Sequence, residues 1–373
     1  VSAVSVVCSP PKYDSTNIAI AGPDGTPRSG AFVSTASATP GLSLALSGDV
    51  VVPFLPPPSG RVVLIDRGSG VVTWMNLSKA SVLAQLAVGV GFSGANPNDY
   101  VEVDAKRAFV SRYGTNPSPG KQMYDQGGDV AILDTATYAV TGRIAMPEED
   151  PALQPCPSQM GWLGSDVAVT LARFSMDFSK EGDGRFVGVS PTSDAIAWKV
   201  DIKGLQNCGR VVVSPSGKVA AVACTSMENT TTMTYDPAKS DIVLYDATRS
   251  PPVETKRLGL GTKLNAGLQS EVVFAAEETL VGLTYGGNAT TGDTVFAVDT
   301  STGVVTSLGS SSMPFHLGGL YCSPGCDDVC LLGDSLKGVV RRWHFDKGTL
   351  SPLSDVNVDP TVGFAPVLIG GLM

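Results

Sequence analysis

The chain is poor in histidine, with His316 and His344 the two it holds in 373 residues. A copper, iron or zinc centre built on several imidazoles therefore has little to draw on. Charge is scarce too. Asp, Glu, Lys and Arg make up 16% of the residues, against about a quarter in ordinary soluble domains. The 26 Lys and Arg form no dense cluster, and 35 Asp and Glu leave a net charge of −9. Binding to phosphate backbones calls for a basic stripe, so nucleic acid is not an expected partner. No apolar run reaches the roughly 18 residues of a transmembrane helix. There is no Cys-x-x-Cys pair, hence no paired-cysteine zinc knuckle and no covalent haem motif. No Gly-x-Ser-x-Gly nucleophile elbow occurs either.

Glycine (42) and proline (26) are plentiful, and 43% of residues are hydrophobic. That balance favours many short strands joined by tight turns around a sizeable core. Val1 to Pro10 lacks the charged start of a signal peptide, so the expectation is that any export signal has been removed; a lipid anchor would not be visible in this chain. Seven cysteines without metal or redox motifs fit disulfides in an oxidising compartment, which places the protein outside the cytoplasm: periplasmic, outer-membrane-associated or extracellular.

An internal repeat organises the chain. A β-branched run ending in a polar residue recurs at Val62–Asp66, Val130–Asp134, Ile242–Asp246 and Val295–Asp299, with weaker copies at Phe186–Ser190 and Arg342–Asp346. A hairpin precedes each copy, clearest at Val211–Val213 and Val219–Ala223 about the turn Ser214-Pro215-Ser216-Gly217. Hairpin plus hairpin makes four antiparallel strands, one propeller blade. The terminal polar residues are spaced by 68, 56, 56, 53 and 47 residues (134−66, 190−134, 246−190, 299−246, 346−299). From Asp346 through the termini to Asp66 is 93 residues (373−346+66), room for one blade more. Asn17–Ala21 suits its outer strands and 361–373 its inner strand, so both termini share the closing blade and protect the sheet edges. The expected fold is all-β, a single seven-bladed β-propeller over 1–373, with six or eight blades as alternatives. In it 1–40 completes the last blade, 41–360 holds six blades and 361–373 is the closing strand.

The stretch Asn96-Pro97-Asn98-Asp99-Tyr100-Val101 to Gly114, with Asp129–Thr137 after it, resembles the repeat of the YVTN family of bacterial surface-layer propellers, and Gly209 to Asp246 is similar to it as well. The likeness is loose over the rest of 42–354 and weakest in the third blade, with its insertion at Met176 to Gly184. The resemblance implies a seven-bladed extracytoplasmic propeller and no particular chemistry, because this fold hosts binders and enzymes alike. With so few histidines the expectation is a non-catalytic binding or scaffold protein with a protein or glycan partner. The alternative is a propeller enzyme of lactonase or quinoprotein type, with its site at the central channel. Several carboxylates converging on a bound ion at the channel mouth would favour the enzyme, a plain or hydrophobic mouth the binder.

Loop positions supply the candidate ligand-binding residues. Arg112, Tyr113, Trp162 and Arg173 are of the kinds that anchor partners, although packing between blades is the simpler use of them. His316, after Met313-Pro314-Phe315, falls at a blade junction near the channel mouth, whereas His344 sits inside a strand run. Asp177 to Gly184 has alternating oxygen ligands like a calcium loop, with Asp177 and Asp183 as weak candidates, but it departs at Ser179 and Glu181, has no bidentate Glu at position twelve, and reads rather as a glycine-rich turn. No other cofactor is expected. Gly89-Val90-Gly91-Phe92-Ser93-Gly94 matches a dinucleotide fingerprint, yet Asn96-Pro97 breaks the helix that motif needs. Cys208 and Cys224 lie symmetrically about Ser216 and should pair across the hairpin. Cys322 and Cys330 are the next pair, leaving Cys8 to join Cys156 and Cys326 as the odd thiol.

Overall fold

The computed structural model describes residues 2–10, 12–229, 234–286, 291–323, 328–346 and 348–373. Seven four-stranded antiparallel sheets are arranged as a β-propeller. Among the described residues, helix is confined to one turn at Leu260–Leu264 and two 3-10 turns. The inner strands pack side by side around a central channel. They are Val50–Val51, Pro97–Glu102, Pro157–Leu163, Cys208–Val213, Leu268–Ala276, Leu317–Cys322 and Ala365–Leu372, for blades one to seven. The face on which these strands begin is called upper below, and the face on which they end lower. Apolar residues alternate along the strands and fill the seams between blades. One such seam joins Phe186 and Trp198 of blade three to Val222 and Tyr245 of blade four.

Both termini build blade seven, in the strand order Pro27–Ser34, Asn17–Ala21, Ala3–Ser9, Ala365–Leu372. The Ala3–Ser9 strand pairs with both Asn17–Ala21 and the closing strand. Blade one corrects the repeat. Val62–Asp66 belongs to its second strand, and the third, equivalent to the other copies, is Val71–Asn76. From Asn76 to Asp134 is 58 residues (134−76), so the anomalous spacing of 68 disappears.

The inner strand of blade one is only two residues long because prolines follow it. Pro53, Pro56, Pro57 and Pro58 offer no backbone N–H to the ladder. The chain leaves the sheet there and crosses the channel as a strap. Phe54 packs against the seams of blades four to six, and Leu55 against that of blades two and three.

Two hairpin disulfides form as expected. Cys208–Cys224 closes the upper end of blade four, and Cys322–Cys330 the lower end of blade six. The expected Cys8–Cys156 bridge does not form. Both are buried free thiols, Cys8 in blade seven and Cys156 at the start of blade three, on separate sheets of the ring. Cys326 lies outside the described residues.

Candidate active site

The upper half of the channel is a chamber of about 360 Å³. Its polar residues occupy equivalent places in successive blades. Asp99, Gln159, Arg210 and Ser270 are each the third residue of their inner strand. A register shift against the second strand falls at this level in blades two to six. Such β-bulges bend the strand and re-aim side chains that a regular pleat would bury in the seam. The bulges are tied from blade to blade. The Asp99 N–H donates to Ser111 Oγ at 3.0 Å, and that hydroxyl donates to the Ser158 carbonyl. In the next blade the Gln159 N–H donates to Thr170 Oγ1 at 3.2 Å, and Thr170 donates to the Gly209 carbonyl.

Two buried charged groups, Asp99 and Arg210, meet the half-buried Glu271 on this ring. Asp99 is 2% exposed, and its oxygens accept N–H bonds from Tyr100 (2.8 Å), Met160 (2.8 Å) and Phe54 (3.4 Å). Burial pushes its carboxyl up to about 6, against the pull of those N–H groups and of Arg210. Glu271 accepts the Leu320 N–H at 2.6 Å, and burial raises its carboxyl as well. Arg210 is 3% exposed and donates to Gln159 Oε1 at 3.1 Å. Its guanidinium lies 4.1 Å from the centre of the Phe54 ring, a cation–π contact. Among the described residues Arg210 makes no ion pair within 4.0 Å, although both carboxylates bear on it electrostatically. Its charge is thus left available to the chamber. At the upper rim Arg67 holds Asp49 (Nε to Oδ1, 2.8 Å) beside Asn98, and Tyr285 stacks on Tyr235 at 4.2 Å. A base near neutral pH beside a guanidinium held in no direct ion pair can activate water and stabilise a developing oxyanion.

The residues singled out in sequence are scattered. Arg112 is fully buried and grips Asp129 with two bonds of 2.7 Å, so it is an internal strut and not a ligand anchor. Arg173 does the same with Glu148, again with two bonds of 2.7 Å. Tyr113 stands half-buried on the upper face near Cys156. Trp162 lines the lower mouth. His316 bonds Ser335 Oγ at 2.8 Å between blades five and six, and His344 is exposed on a strand. Asp177 accepts from the Ser175 and Ser179 hydroxyls, while Asp183 turns to the Gly204 N–H. Among the described residues no three His, Cys, Asp or Glu side chains are grouped to hold a metal ion. The stretch 89–94 is a loop with a 3-10 turn at Ser93–Ala95.

Asp99, Arg210 and Glu271 were missed, although one signal was there. Aligning the inner strands of the repeat puts Asp99, Gln159, Arg210 and Ser270 at one shared place, with Glu271 one residue further on.

No family model matches the sequence, and no curated relative does. Solved structures match along the whole chain. A 6-phosphogluconolactonase candidate from Bacteroides uniformis is 13% identical with a TM-score of 0.61, covering 99% of each chain. Another from Bacteroides fragilis is 12% identical at 0.58, covering 99% of this chain and 97% of its own. The periplasmic gluconolactonase of Pseudomonas aeruginosa is 12% identical at 0.59, covering 100% of this chain and 99% of its own. At such identity the likeness shows the fold. It also corrects the functional expectation, because full-length neighbours bear lactonase names and the reading as a non-catalytic binding or scaffold protein gives way to its lactonase alternative. Scarce histidine does not weigh against that alternative, because carboxylates and an arginine brought from separate blades need no imidazole. The chain is, by architecture, a seven-bladed β-propeller like these lactonase-named structures.

Proposed function

We propose that the protein is an extracytoplasmic lactonase that opens aldonolactones, with or without a phosphate, in the upper chamber. The reading is carried by Asp99, Arg210 and Glu271 together on the bulged ring, with Asp99 poised near neutral pH. Asp99 takes a proton from a water that attacks the lactone carbonyl. Arg210 faces the negative charge that grows on the carbonyl oxygen. The ring C–O bond then breaks, and the proton held by Asp99 passes to the leaving ring oxygen, giving the open hydroxy acid. Arg67, Asn98 and Gln159 offer hydrogen bonds to the substrate hydroxyls. The two disulfides and the YVTN-like repeats of blades two and four support the compartment.

The test is hydrolysis of D-glucono-1,5-lactone and its 6-phosphate, read against the spontaneous rate. Wild-type kcat should rise through about pH 6 and level off above it, following ionisation of Asp99. Asp99→Asn should lower kcat by about 10²–10⁴-fold and remove that limb. If neither lactone is opened faster than in buffer, or if Asp99→Asn keeps the full rate, the reading fails.

A further inference from the structure

The lower end of the channel holds a second cavity, of about 430 Å³, with a different chemistry. Trp162, Val211, Val213, Phe274 and Tyr321 line it from blades three to six, and the Phe54–Pro56 strap roofs it. None of its lining residues is charged. Phe54 is the shared wall, since it borders this cavity and the polar chamber alike. The walls are sheet strands tied by ladder hydrogen bonds and, in blade six, by the Cys322–Cys330 bridge, so the cavity is preformed. Its volume is that of an ordinary small-molecule site, and it is concave, whereas a protein partner generally meets a broader, flatter surface.

The geometry points to a binding site for a small uncharged apolar molecule at the lower mouth, separate from the upper chamber. The occupant is a neutral aromatic or short aliphatic compound. An anion has no cation to meet there, and burying its charge against valine and phenylalanine is costly. The inference does not depend on the lactonase reading.

The probe is N-phenyl-1-naphthylamine, a neutral dye that brightens in apolar surroundings, set against its anionic relative 8-anilinonaphthalene-1-sulfonate. The neutral dye should bind once per chain and quench Trp162, and the sulfonate should bind about tenfold more weakly or less. Val213→Asp places a charge in the lining and should weaken the neutral dye by about tenfold or more. Trp162→Ala should weaken it as well and abolish the quenching, which serves should Val213→Asp unfold. Sedimentation should give a monomer with and without dye. Equal or tighter binding of the sulfonate, unchanged dye affinity in both variants, or a dimer that Val213→Asp dissociates would each overturn the assignment.

Discussion

The two ends of the channel are made by the same inner strands, yet one is polar and the other apolar. The first residues of these strands supply Asn98, Asp99, Gln159, Arg210 and Glu271 to the upper chamber. The last supply Trp162, Val213 and Phe274 to the lower cavity. The boundary lies where the bulges stop and pairing resumes, at Asp99, Met160, Val211 and Val272. A bulge frees side chains and backbone groups from the ladder, and polar residues there find partners. Below it pairing is regular apart from a second shift between Phe274 and Ala276 in blade five, and apolar side chains pack there without penalty. The comparison teaches that chemistry in this ring is set by backbone register as much as by residue type.

The largest effect should come from removing what both halves share. Deleting residues 361–373 takes away the closing strand, whose partners run from Ala3 to Ser9, and exposes an unpaired sheet edge at the centre of blade seven. We expect no cooperative unfolding transition in the truncated chain, seen by circular dichroism during heating.

Next come the two bridges, one at each end. In the chain-entropy account, replacing Cys208 and Cys224 by Ala should cost about 3 kcal/mol, and replacing Cys322 and Cys330 about 2.5 kcal/mol, because the second loop is shorter. Urea unfolding measures both. A larger loss at the lower bridge would break the ordering.

Phe54→Ala acts on the wall between the halves. It removes a half-buried ring and its cation–π contact, and should cost about 2 kcal/mol in urea unfolding. Water then reaches Asp99 from below, so the midpoint of the pH–rate curve should fall from about 6 toward the ordinary carboxylate range. An unmoved midpoint would mean that Phe54 does not keep the chamber dry.

The smallest effect concerns Glu181, on an upper-face loop. Neither of its oxygens makes a well-formed hydrogen bond, although the Met227 and Asn207 N–H groups stand near. Burial pushes its carboxyl up to about 8. A carboxyl raised by folding holds its proton better in the folded chain, so stability falls as pH rises from the unfolded value toward 8 and stays lower above it. Glu181→Gln should therefore raise the melting temperature by about 2 °C at pH 9 and change it little at pH 4. A gain at pH 4 as large as at pH 9 would place the effect outside ionisation.

Much of the ring was legible in the repeat. The third-strand motif ending in Asp134, Asp246 or Asp299 stands out because its carboxylate caps the next turn, as Asp299 Oδ1 does for the N–H groups of Ser301 and Thr302. Blade one misled because its second strand mimics that motif. The Cys208–Cys224 pair was readable from hairpin symmetry alone. The site was not. Arg112 and Arg173 looked like anchors by type and place, but a buried carboxylate waits for each, which no local pattern announces.

What the sequence determined by itself is therefore local and periodic: strand length, turn position, cross-hairpin register, and closure of the ring by its two ends. These follow from short-range sterics and from hydrogen bonding between neighbours in the chain. Only the tertiary structure decided that Asp99, Arg210 and Glu271, from three different blades, share one chamber. Only it showed that a proline-rich strap divides the channel. Burial raises a carboxyl by removing water, and that removal depends on residues more than a hundred positions apart being brought together by closure of the ring.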